Sequence, residues 1–343
     1  MRMKKLIILA AAAIAAVACS RTFDTAPAKE QAIGFGTWAD QLTKARTAGA
    51  STFGNGDSFT VEGFKTLSGS PVTVFNDVTV STTDGTNWTY ENTRFWDKNA
   101  TGYTFFAVSS PNTALAFAAD GTIAATDVTF SGNGNDILLA DQVDVAPAAF
   151  TNTPVALNFK HIGSLVDLKV KKSAGLNTAG ATVAITAIAL EKIDGAGKVA
   201  VTGYTTNVPT VAWTALDGNT SYTNASGVTP VATLPTNVGT DGSDYLINTL
   251  VVIPQTLTDT KILKISYKIT DAAGNVNTYS NIEVKLNQFD GDDDTENGPS
   301  DFISSWEAGK HYIYTLTIDA NTINFSGTIT DWTTVNGYNY LLN

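Results

Sequence analysis

The sequence predicts an all-β protein made of antiparallel β-sandwiches, and three observations carry the prediction. Short runs rich in β-branched and aromatic residues recur along the chain, turn residues separate them, and no stretch has the periodicity of a convincing amphipathic helix. Many short strands without crossover helices favour sandwiches over a parallel sheet. A length of 343 residues fits two domains.

The chain begins with a segment that is not part of that fold. Arg2, Lys4 and Lys5 precede an apolar block from Leu6 to Val17, too short for the roughly 20 apolar residues that a membrane-crossing helix needs. The block closes on the small residues Ala16, Val17 and Ala18 just before Cys19, the only cysteine, so no intramolecular disulfide can form. This pattern reads as a bacterial lipobox: residues 1–18 form a signal peptide, and the Cys19 thiol takes a diacylglycerol and becomes the mature N-terminus. One acyl chain anchors only marginally, whereas two or three hold a protein to a bilayer. Loss of the three leader bases moves the formal charge from −11 to −14. A body this acidic repels nucleic acid and anionic head groups, because phosphate binding is driven by Lys and Arg.

Next comes AIGFGTW, residues 32–38, in which Ile33 and Phe35 alternate with Gly34 and Gly36. Alternation with a period of two makes one face apolar, as expected of a strand packed into a first sandwich. The polar stretch LTKARTAGAS, residues 42–51, follows and exposes Lys44 and Arg46 to a protease; Arg21 is a second basic site. The strand series continues with DSFTVEGF (57–64), VTVFNDVTV (72–80), TNWTYEN (86–92) and YTFFAVS (103–109), punctuated by Asp84-Gly85, Asn99 to Gly102 and Asp120-Gly121. Pro and small residues at 146–154 interrupt the series, which sets a domain boundary near residue 153. Beyond it lie SLVDLKVKK (164–172), TVAITAIALEKI (182–193), YLINTLVVIP (245–254), KILKISYKIT (261–270), VNTYSNIEVKL (276–286), HYIYTLTID (311–319) and INFSGTI (323–329).

Catalytic and metal chemistry find little to use. His161 and His311, the only histidines, both sit in strand-like runs and read as packed residues; nothing resembles a nucleophile elbow, and GNGND at 132–136 lacks the context of a phosphate loop. Asp290, Asp292 and Asp294 have the spacing of the first three ligands of a calcium loop, but Thr295 stands where glycine is needed and Asp301 where a bidentate glutamate is usual. Residues 289–301 therefore read as a solvated insertion. No metal, no cofactor and no enzymatic activity are expected.

Several of these runs carry a family resemblance. GDSFTVEGF, VFNDVTV, NWTYENTRFW and YTFFAVSSP, followed by NFKHIGSLVDLKV, VVIPQ, WEAGKHYIYTLTI and the terminal Asp331-Trp332, resemble the fimbrillin family, the pilins of type V pili, in order over nearly the whole mature chain. The resemblance implies two tandem transthyretin-like sandwiches, export as an outer-membrane lipoprotein to the cell surface, and polymerisation by strand exchange after proteolysis. On this reading residues 19–46 are a lipidated propeptide carrying a removable first strand with Ile33 and Phe35, 47–153 the N-terminal sandwich, and 154–343 the C-terminal one. An arginine-specific protease would cut after Arg46, with Arg21 and Lys44 as alternatives. The donor strand would be TTVNGYNYLLN, residues 333–343, through Val335, Tyr338, Tyr340, Leu341 and Leu342; eleven extended residues reach about 36 Å. The partners are then other pilin subunits, the protease, and membrane lipid through Cys19. An alternative reading is a surface lipoprotein or pilus-tip adhesin that binds host protein or glycan, with Trp88, Trp96 and Trp213 as candidate contacts.

Overall fold

The computed structural model describes residues 31–37, 53, 56–130, 136–223, 234–240, 246–289, 302–320 and 323–331. Cys19, Arg21, Lys44, Arg46, the acidic stretch 290–301 and the tail residues Val335, Tyr338, Tyr340, Leu341 and Leu342 lie outside the described residues.

The first half forms β1 (Phe35–Thr37), β2 (Ser58–Leu67), β3 (Ser70–Thr82), β4 (Trp88–Tyr90), β5 (Gly102–Ser109), β6 (Ile123–Thr129), β7 (Leu138–Ala140), β8 (Val143–Val145), β9 (Val155–Leu157) and β10 (Phe159–His161). A large sheet runs in the order β10-β7-β5-β2-β3-β4 with β8 beside β5, and the pair β1-β9 stands apart from it. Phe59 and Val61 on β2 and Tyr103, Phe105 and Ala107 on β5 share one core with Ile33, Phe35, Phe75 and Trp96. Gly63 marks a register shift in β2, where an added Cβ would stand 2.8 Å from the Phe105 ring. The core has room for that ring only because residue 63 has no side chain. Val155, Leu157 and Phe159, past residue 153 in sequence, are buried in this same core.

The second half forms β11 (Ser164–Lys172), β12 (Thr182–Ile193), β13 (Ala196–Thr205), β14 (Val208–Thr214), β15 (Thr220–Thr223), β16 (Leu246–Val252), β17 (Gln255–Thr256), β18 (Ile262–Thr270), β19 (Val276–Lys285), β20 (Ser305–Trp306), β21 (Lys310–Ile318) and β22 (Ile323–Asp331). Two four-stranded sheets, β16-β11-β21-β22 and β15-β12-β18-β19, bury a common core. Val166, Leu168 and Val170 face Val183, Ile185, Ile188 and Leu190 within it. On β12 the inward residues switch from odd to even numbers because the register shifts between Ile185 and Ala187. Such a bulge moves the whole alternation by one residue and keeps the apolar face inside. The one described α-helix is a single short turn, Ala174–Thr178, capped by Ser173, whose hydroxyl accepts from the Leu176 N–H at 3.1 Å.

The strands read from sequence are in place, and the sandwich class holds, with two refinements. The pairs β1-β9 and β11-β21 are parallel, a distinction that alternation alone does not make. A three-stranded sheet, β14-β13-β6, joins the halves, and beside it Val108, Leu115, Val128 and Phe130 share a core with Ile162, Leu165, Val199 and Val251.

Candidate functional site

The first strand sits in a groove between two segments of the first sandwich. On one side it pairs in parallel with β9, Phe35 opposite Val155, and the Val155 N–H donates to the Gly34 carbonyl at 2.8 Å. On the other side Ala32 bridges Phe95 in antiparallel sense, the Ile33 N–H donates to Arg94 O at 2.8 Å, and the Trp96 N–H donates to Gln31 O at 3.0 Å. The Tyr90 hydroxyl donates to the Ile33 carbonyl, and burial raises the pKa of that phenol above its ordinary 10.0. Ile33 and Phe35 are 1% and 4% exposed, so alternation with Gly34 and Gly36 does direct both into the core. The Phe35 ring meets Phe75, Phe105, Tyr90 and Phe59 edge-on, at centroid distances of 5.1, 5.6, 5.8 and 6.5 Å. Arg94 closes the neighbouring wall, its guanidinium 4.7 Å from the Phe75 centroid and its Nε donating to Val74 O at 2.6 Å.

The outer face of the strand lies on Pro154. A Cβ added at Gly36 would come within 3.3 Å of the Pro154 Cβ, against 3.9 Å or more at Gly34. At the N-terminal end of the groove a cleft of about 610 Å³ opens between Gln31, Phe95, Trp96, Lys98, Pro147 and Phe150.

The three tryptophans considered for glycan contact are packed instead. Trp96 is buried, stacks on Phe150 at 4.9 Å and donates from Nε1 to Thr151 O. Trp88 packs on Phe53 and Phe59, and Trp213 on Phe130; the indole N–H of each is buried with no acceptor. Trp96 offers no ring face to a sugar, whereas Trp88 and Trp213 are half-buried against the core.

Both histidines pair with carboxylates inside the fold. His161 Nδ1 lies 2.9 Å from Asp136 Oδ1 in a buried pair. His311 Nε2 lies 2.9 Å from Asp167 Oδ2 but out of line for a hydrogen bond, and the Thr249 hydroxyl donates to Asp167 Oδ1 at 2.7 Å. The threonine proton points at the carboxylate and not at the ring, so the trio does not activate a nucleophile. Among the described residues no cluster of three His, Cys, Asp or Glu side chains could hold a metal, and no helix is long and apolar enough to cross a membrane.

One buried acid bears on stability with pH. Glu62 is 3% exposed and accepts from the Asp77 N–H at 2.8 Å. Burial raises its pKa above the ordinary 4.5; the hydrogen bond from Asp77 opposes that, and the Asp77 charge adds to it. A raised carboxyl pKa means that the folded state holds the proton longer, so stability falls as pH climbs from about 4.5 through the folded value. Glu62→Gln keeps the acceptor and removes the charge. Its melting temperature should exceed that of the wild type at pH 7, with the gap closing toward about pH 3, as thermal scans across that range would show. A gap independent of pH would contradict the assignment.

The fold is similar to that of a fimbrial protein from Bacteroides vulgatus, with a TM-score of 0.52 at 18% identity over 88% of this chain and 99% of that one. A candidate cell adhesion protein from Bacteroides uniformis shares it, with a TM-score of 0.50 at 17% identity over 89% and 98% of the two chains. The sequence model of the fimbrillin-like family matches residues 43–332, and the chain belongs to that family. It is thus a pilin-like subunit of the cell surface, in a family whose members associate with other pilin subunits. No curated protein matches the chain.

Proposed function

We propose that this chain is a structural subunit of a type V pilus, delivered to the outer membrane by lipid on Cys19, cut after Arg46, and polymerised when a donor strand replaces β1. The observation that carries the reading is how β1 is held. The strand proper spans three residues, and, together with residues 31–34 before it, buries the two large side chains Ile33 and Phe35 between β9 on one side and residues 94–96 on the other.

The energetics suit a strand that must leave. Ile33 and Phe35 contribute roughly 1.5–3 kcal/mol each by burial, and each hydrogen bond a net ~1 kcal/mol. While the chain is intact, the strand rebinds as an intramolecular partner at high effective concentration. A cut after Arg46 makes rebinding bimolecular, and the freed groove offers unpaired backbone groups and apolar pockets to another strand. The tail with Val335, Tyr338, Tyr340, Leu341 and Leu342 is the donor in this scheme.

The mass and N-terminal sequence of the surface form test it. A polymer-derived subunit should begin at Thr47, with no lipid and no residue of 19–46. A surface form that begins with acylated Cys19 would identify a retained lipoprotein and overturn the reading.

A further inference from the structure

Any strand that takes the place of β1 must satisfy the groove position by position. Positions 33 and 35 face the core, position 36 is tight for a Cβ, which would stand 3.3 Å from the Pro154 Cβ, and position 31 borders the open cleft. The tail TTVNGYNYLLN contains one glycine, Gly337, next to Tyr338. Laid in the direction of β1 with Tyr338 at position 35, the tail brings Asn339 onto position 36, where its Cβ meets the proline. Laid in the opposite direction with Tyr338 at 35, it brings Gly337 onto 36, Asn339 onto the roomier 34, Tyr340 onto 33 and Leu342 onto 31. Of these two alignments only the second puts an aromatic side chain in the Phe35 pocket and a glycine against Pro154.

We propose that the tail of a second copy enters the β1 groove antiparallel to β9 in this register, with Gly337 against Pro154 and Leu342 in the cleft beside Phe95 and Phe150. The inference rests on the donor-strand reading above and adds to it a direction, a register and a reason for preference. The cleft of about 610 Å³ that remains beside Gln31 gives Leu342 apolar surface that the resident strand does not cover. Reversal also replaces the parallel pairing with β9 by an antiparallel one and the antiparallel bridge at Phe95 by a parallel one, so the preference rests on the glycine and the cleft.

Disulfide capture tests the register, because a cut after either Arg21 or Arg46 removes Cys19, the only native cysteine. Phe95 lies opposite Ala32. In the proposed register Leu341 takes position 32; in the opposite direction Val335 does. Full chains carrying Phe95→Cys with Leu341→Cys, or Phe95→Cys with Val335→Cys, would be treated with an arginine-specific protease and oxidised. Each would be run on a boiled non-reducing gel and, in parallel, on an unboiled one.

A covalent ladder from the Leu341 pair and none from the Val335 pair is expected. A covalent ladder from the Val335 pair would reverse the direction and overturn the proposal. An internal disulfide within single chains would overturn the second copy as occupant. Ladders on the unboiled gel with no cross-link from either pair would remove this register and leave the pilin reading standing, whereas no ladder even from the wild type would sink that reading and the proposal together. Gly337→Ala should slow polymerisation by about tenfold, since overpacking at a tight site costs on that order. An unchanged rate would remove the glycine requirement and with it the register.

Discussion

Arg46→Ala is expected to yield a folded monomer that retains residues 19–46 and forms no ladder when an arginine-specific protease is added, while the wild type polymerises fully. The expectation follows from the way β1 is held. Its contacts amount to a few kcal/mol, enough to keep a tethered strand in place and too little to hold a severed one against a competing strand. Replacing one charge in a polar stretch usually changes stability by no more than about 0.5 kcal/mol, so lost assembly could not be ascribed to misfolding. Gels run without boiling would read the result directly. Equal ladders from both proteins would move the cut to Arg21 or Lys44, or remove the gate altogether.

Phe35→Ala should act in the opposite sense, easing exchange by loosening the resident strand. Truncating a buried phenylalanine costs about 3–5 kcal/mol, and Phe35 loses its contacts with four rings at once. Much of that cost should fall on local opening of β1, because the other side of the core keeps Phe75 packed on Phe105 and Phe59 on Phe159. Amide exchange at Trp96 and Val155, whose N–H groups bond to the strand, should then quicken by about a hundredfold or more. Polymerisation after cleavage should also start sooner. Unchanged exchange at both amides, with a lower overall melting temperature, would show that β1 opens only when the whole sandwich does.

How much of this was legible in the sequence depends on how local the signal was. The runs at 164–172 and 182–193 became β11 and β12 with the expected ends, because dense β-branched residues with clear turns leave little competition. The hairpin β13-β14 was missed. Its strands dilute Val, Tyr and Trp with Ala, Gly, Thr and a proline, and its turn places Thr206 and Asn207 at positive φ without the Asn-Gly or Asp-Gly that usually marks such a turn. Parallel pairing of β1 with β9 left no trace either, since each strand alone shows only its alternation.

At the groove, Ile33 and Phe35 were readable from their spacing with glycine. The partners that give the glycines a purpose were not. Pro154 and the cleft beside Phe95 and Phe150 come from segments far along the chain, and only folding brings them to the strand.

The sheet β14-β13-β6 has a mechanical consequence. In a polymer of the proposed kind, tension would enter each subunit at the groove in its first half and leave through the tail that follows β22 in its second. Two sandwiches joined by a linker alone would swivel under that pull and lengthen before bearing force. Here β6 is hydrogen-bonded to β13 across the junction, and Val108, Phe130, Leu165 and Val251 fill the space beside it. Bending the junction would break a ladder and open a core together, so each subunit should behave as a stiff rod, and compliance in the fibre should lie between subunits.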